Sequence, residues 1–225
     1  MCIRDSGILF GLMGLYLINM PRFQIELVSE RLSLLVPFLN LSAVSFILAT
    51  FTTRFVFPLV SLEGHQLWLI GLLPIPRGRI LLAKFAFAMT VTTTVAVGTM
   101  GLAAFILRMP AAWTAVYLAV TFAVCVGVCG LAVGLGARMP MFGEQNPTRI
   151  ANGFGGTVNL IATVGLIVCV LAGMGLAAVR AGLASETPSV RETTLQLTAA
   201  VILFAVAVGM TALSFGARHL RRLEV

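Results

Sequence analysis

Charge is the scarcest thing in this chain. Only 10% of its 225 residues are charged, 59% are hydrophobic, and the mean hydropathy is +1.04, whereas a soluble domain carries roughly 25% charged residues. That shortage excludes a water-soluble globular domain. Histidine is almost missing too: His65 and His219 are the only two, too far apart in sequence to suggest a local metal pair. The four cysteines offer no disulfide framework, since Cys125, Cys129 and Cys169 lie inside apolar runs and Cys2 sits at the extreme start; they read as small core residues. No GxxxxGK[ST] phosphate loop, HExxH pair or GxSxG elbow occurs, which removes the commonest signatures of nucleotide, zinc-protease and hydrolase chemistry. No Asp, Glu, Lys or Arg lies near the middle of an apolar segment. Such residues are the usual mark of proton relays and ion-coupled transport, so their absence argues against an ion-driven transporter.

What is present is oil in long pieces. Six apolar segments stand out, at 7–20, 32–51, 85–107, 113–136, 154–179 and 195–217. A helix needs ~20 apolar residues to cross a ~30 Å hydrocarbon core, and a helix satisfies its own backbone there. The expected fold is all-α, a polytopic transmembrane helical bundle of about six spans, although the first segment has only 14 residues before Pro21. A net charge of +7 and pI ≈ 10.3 would suggest nucleic acid in a soluble protein. In a membrane protein, loop Arg and Lys report topology instead, and no nucleic acid is expected. With the Arg218, Arg221 and Arg222 end placed in the cytoplasm, the inside loops hold nine basic residues (Arg54, Arg77, Arg79, Lys84, Arg138, Arg149, Arg218, Arg221, Arg222) against Glu63, Glu144 and Glu224. The outside loops hold five (Arg22, Arg31, Arg108, Arg180, Arg191) against four acids. Both termini are therefore expected inside.

Between the second and third spans the chain should leave the bilayer and return, giving a cytoplasmic element at 54–84. Pro58 should end the preceding helix; Ser61 can cap a new one with Glu63 in its first turn, and Pro74 with Pro76 stops it. The result is a short cytoplasmic helix of about Ser61–Leu73, polar first and apolar later. It has two readings. One is an interfacial anchor with Trp68 at headgroup level and Arg77, Arg79 and Lys84 against anionic lipid; the other is a docking element for a cytoplasmic partner.

A second cytoplasmic loop is expected at 137–153. Asn146 before Pro147 fits a helix start, Glu144 can pair with Arg149, and Gly153, Gly155 and Gly156 let the backbone approach a neighbour closely. This is either a well-capped helix entering a packed bundle or part of a cytoplasmic gate. Within the spans the polarity is mild: Thr90, Thr92, Thr93, Thr94 and Thr99 read mostly as packing, and Asn159, with Thr163 nearby, is the best candidate for lining a pathway. Gly7 with Gly11 and Gly130 with Gly134 form GxxxG pairs, which support a bundle without identifying a dimer interface.

The runs RFVFPLVSLEGHQLWLIGLLPIPRGRILLAKF, 54–85, and GARMPMFGEQNPTRIANGFGGTVNL, 136–160, resemble the paired signatures of bacterial ABC-type export permeases. The resemblance implies a transmembrane permease subunit with no ATPase site of its own, hence not an enzyme. It would bind no cofactor itself, with ATP and magnesium held by a separate ABC ATP-binding subunit. It further implies partner coupling through Ser61, Leu62, Glu63, Gly64, Trp68, Arg77 and Arg79, and a gate loop of Glu144, Asn146, Pro147, Arg149, Asn152 and Gly153. The setting would be the bacterial inner membrane. The alternative function is a membrane anchoring or assembly protein that recruits a cytoplasmic partner without driven transport; a membrane enzyme comes third. Met1–Ser6 resembles an adaptor-derived leader of translated assemblies, so residues 1–6 are expected to be foreign and 7–225 a single permease domain. Both a C-terminal half of a longer protein and a nearly complete unit stay open, and with them a missing N-terminal half or a second permease copy as partner.

Overall fold

The computed structural model describes Gly11 and residues 35–62, 77–141, 144, 146–183 and 188–222. Among them there is no strand, and five helical stretches are long and apolar enough to cross a membrane: Val36–Ser61, Gly78–Ile106, Ala111–Arg138, Phe154–Arg180 and Thr193–His219. The chain is an all-α, multi-pass bundle, as its composition requires. The short apolar segment at 7–20 falls, but for Gly11, outside the described residues. We label the helices α1 (Leu35–Phe51), α2 (Pro58–Ser61), α3 (Arg77–Ile106), α4 (Ala111–Arg138), α5 (Pro147–Asn152), α6 (Phe154–Leu183) and α7 (Pro188–Arg222).

Three boundaries differ from the sequence reading. The first concerns Pro58, expected to stop the helix before it. Instead the helix widens into a π-turn at Thr52–Val56 and resumes as α2, so one apolar stretch runs to Ser61. Proline ends an α-helix because it lacks an N–H and its ring collides with the carbonyl four residues back. Here Phe57 N–H donates to Thr52 O at 2.9 Å, five residues back, and Pro58 starts the next helical piece, where no donor is needed. Arg54, expected in a cytoplasmic loop, therefore lies in this first span. Its side chain is exposed and stands seven residues before Ser61, about 10 Å at 1.5 Å per residue, within reach of snorkelling to the interface.

The second concerns Arg77, Arg79 and Lys84, expected in a turn and found in the opening turns of α3. Lys84 has a local reason to be there. Its Nζ donates to Leu59 O at 2.8 Å, placing a cation on the C-terminal carbonyls of α2, where it is favourable. The third is Ser61, read as the cap of a new helix. It closes α2, its hydroxyl accepting from Met141 N at 3.2 Å, and residues 63–73 of the expected cytoplasmic helix lie outside the described residues.

The bundle is built around α4, with 78% of its apolar window buried, against 22% for α3 and α7 and 33% for α6. Its sequence explains this, since Ala, Gly, Cys and Val dominate Ala123–Gly136 and small side chains let four neighbours come close. The tightest contact is with α7. A Cβ on Gly130 would collide with the Gly209 backbone and one on Gly134 with that of Ala212, while one on Gly209 would stand 2.8 Å from Gly127 Cα and one on Gly216 2.9 Å from Gly134 Cα. The Gly130–Gly134 pair is thus spent inside the chain. Cys125 and Cys129 are buried free thiols on α4, as expected, but Cys169 is exposed and is not a core residue.

The turn from α3 to α4 is short and closed by hydrogen bonds. Arg108 adopts φ +48°, Arg108 N–H reaches Phe105 O and Met109 N–H reaches Ala104 O at 3.1 Å, the paired bonds of a Schellman stop. Pro110 then precedes α4, which forces α3 and α4 to lie side by side in opposite directions.

Candidate functional site

The candidate site is the end of the bundle where the first span stops and α5 joins α4 to α6. It is organised by Phe57, which is 1% exposed. A Cβ at Gly136 would stand 2.8 Å from Phe57 O, and one at Gly155 2.9 Å from Phe57 Cζ. The two glycines form a socket for Phe57: the one on α6 abuts the ring, and the one on α4 lies against the Phe57 carbonyl, with ring Cδ2 3.7 Å from the added Cβ. Neither position could carry a side chain without shifting Phe57.

Above this socket lies α5. Asn146 caps it, its Oδ1 accepting from Thr148 N at 3.1 Å, with Pro147 at the first position. Ile150 is fully buried beneath it, while Arg149 and Asn152 are exposed. Glu144 and Arg149 form a surface ion pair at 3.4 Å, with 75% of the Arg149 side chain exposed, and Glu144 Oε1 also receives Asn146 N–H at 3.4 Å. Pairs of this kind contribute little to stability. Gly153 separates α5 from α6 in an extended conformation, a Cβ there would stand 2.8 Å from Met141 Cε, and one at Gly156 would collide with the Ala151 backbone. The glycines that suggested close approach in the sequence make it against Met141, Phe57 and α5's own last turn.

Of the partner-coupling residues read from sequence, Ser61 and Leu62 are in place at the end of α2, with Leu62 40% exposed. Arg79 is exposed on α3. Glu63, Gly64 and Trp68 lie outside the described residues, as does the side chain of Arg77. Glu144, Asn146, Pro147, Arg149, Asn152 and Gly153 form one compact unit. Asn159 is fully buried and donates from Nδ2 to Thr53 Oγ1 at 3.0 Å, tying α6 to the π-turn. Sequence reasoning missed Phe57 and Thr53, which it had placed in a loop, and also Met141. Among the described residues no three His, Cys, Asp or Glu side chains come together.

Against known families, the model of the family described as "Putative ATP-binding cassette" matches residues 4–225. No curated protein and no solved structure matches the chain. The family match corrects one expectation, that of a non-enzymatic transport subunit without an ATPase site: a family described by ATP binding points to ATPase function. The missing GxxxxGK[ST] string means that any nucleotide contact made by this chain uses a different arrangement from the usual phosphate loop.

Proposed function

This chain belongs to the ATP-binding cassette family matched above, and from that premise we propose that it supplies the membrane-spanning permease of an ABC-type exporter driven by ATP hydrolysis, with a separate ATP-binding subunit, holding ATP and magnesium, as its partner. The observation that carries the reading is the rooting of α5. An exposed, capped short helix buries Ile150 in one apolar cluster with Phe57 of the first span and Ala137 of α4 and joins α6 through Gly153, so a push on α5 is a push on the first span, α4 and α6 together. A rigid lever resting on several packed helices is what transmission of a partner's movement needs.

In this reading Ser61, Leu62, Glu63, Gly64, Trp68, Arg77 and Arg79 receive the partner, Glu144–Gly153 act beside them as the gate, and Asn159 faces the pathway when the spans part. The basic end of the bundle, with Arg79, Arg138, Arg149 and Arg218, lies in the cytoplasm of a bacterial inner-membrane protein, in keeping with the positive-inside bias. A second permease copy completes the transporter.

The test is to purify the full chain from membranes in mild detergent, identify what accompanies it by mass spectrometry, and photolabel the eluate with azido-ATP. Label on a co-purifying subunit, with co-purification reduced by Glu63→Arg or by Arg149→Glu, supports the proposal. Label on this chain alone would replace it with an ATPase of the chain's own. A clean, unlabelled protein would favour the anchoring role.

A further inference from the structure

Among the described residues most buried hydroxyls have a partner, and two do not: that of Thr93, on a partly exposed residue, and that of Thr163. Ser45, Thr52, Thr92, Thr99, Thr121 and Thr198 each return their hydroxyl to the carbonyl one turn back, the usual way a helix in lipid satisfies such a group. Thr163 is equally buried, at 0% exposure, and its Oγ1 has no hydrogen-bond partner. One turn before it on α6, Asn159 is also at 0% exposure, and its Oδ1 is unpartnered as well. Turning the amide over does not cure the deficiency, since the nitrogen would then stand unpaired.

These two groups share a helix face at i and i+4. Asn159 is opposite the π-turn, through its bond of 3.0 Å to Thr53, and π-turns cluster at functional sites. Counted from Phe154, they lie about 8 and 14 Å below the α5 end of the bundle. Unpartnered polar atoms in a low-dielectric core are costly, and two of them on one face next to a distorted helix mark a place built for a ligand.

The chemistry of that ligand is bounded. The buried polar residues described are all Asn, Ser or Thr, with no Asp, Glu, Lys, Arg or His among them, so a full charge would have no counter-charge there. Asn159 Oδ1 needs a donor, and the Thr163 hydroxyl can then give or accept. We propose that Asn159 and Thr163, with Thr53 beside them, form a site for one small uncharged hydrogen-bond donor. That donor is a water at rest, or a hydroxyl or amide N–H of the transported molecule during turnover, the latter resting on the export reading above.

The sign of one substitution reads the resting state. Thr163→Val keeps the shape and removes the hydroxyl. In the full chain in lipid nanodiscs, with no added ligand, the Tm of Thr163→Val is expected to fall while Thr163→Ser stays near wild type, because a resident water loses a partner. This arm needs no ATPase, so it stands or falls separately from the export reading. A Tm that holds or rises means no water is held at rest. The second source is then read by Thr163→Cys, modified by methyl methanethiosulfonate in the complex with its ATPase partner. Modification about tenfold faster during ATP turnover than without nucleotide reports a site that opens to its ligand. A Tm that does not fall, together with modification indifferent to ATP or no partner to supply it, overturns the site.

Discussion

Two helix contacts in this bundle solve the same problem in opposite ways. Between α4 and α7 the faces are glycine and alanine, backbone lies against backbone, and a Cβ at Gly130 or Gly134 would strike the opposite main chain. Between the first span and α6 the contact includes a π-turn, one Thr53–Asn159 hydrogen bond and the ring of Phe57 against Gly155. The first has one arrangement, because backbone atoms cannot give way. The second is held by groups that can exchange partners or rotate, and it sits beneath α5, where a partner would push. Packed interfaces switch between discrete states where such exchangeable contacts occur, so any movement of this bundle belongs to the second contact.

The largest effect should come from breaking the first. Gly134→Leu places a branched side chain against Ala212 and Leu213 backbone atoms, and overpacking against main chain costs more than the usual ~1–3 kcal/mol; the expected result is loss of the monodisperse folded peak on size-exclusion chromatography in detergent. Next is Phe57→Ala, which empties the socket. A buried Phe→Ala cavity costs ~3–5 kcal/mol in soluble cores, and the lower end applies where lipid replaces water in the reference state; thermal unfolding in nanodiscs should show a clear fall in Tm with the fold retained. Lys84→Met removes the donor to Leu59 O, and since a charge-assisted bond is worth ~1.5–3 kcal/mol, hydrogen exchange should quicken at the end of α2 while α4 and α7 keep their protection. Smallest is Asn146→Ala, which removes the α5 cap at ~1 kcal/mol; it should leave global Tm nearly unchanged and loosen α5 alone, seen as faster exchange at Thr148. Exchange that spreads from α5 into α4 and α7 would collapse the distinction between the two contacts.

Much of the candidate site was legible before any coordinates. The cap at Asn146, the proline after it and the Glu144–Arg149 pair follow from local rules, because a cap and a pair five residues apart involve only neighbouring chain. Thr163 and Thr53 were not legible as a unit, since what singles out Thr163 is that its hydroxyl fails to make the bond that other threonines in the same setting make. That is a property of packing, and no pattern of residue types records it. The misplacement of Arg54 and Pro58 has a similar cause: Pro58 carries a local stop signal, and only the space offered by α4 and α6 to Phe57 makes a widened turn cheaper than a break.

Composition and run length by themselves determined that this protein is helical and crosses the membrane several times, because a backbone in hydrocarbon must bond to itself and a span has a minimum length. They determined where charge could not be, and so what kinds of chemistry the core could not hold. The tertiary structure decided which glycines touch, that the GxxxG of α4 is used within the chain, that Cys169 faces outward while Cys125 does not, and that Asn159 and Thr163 are left wanting a partner. Each of those depends on what stands on the far side of a side chain, and that is set only when helices distant in sequence meet.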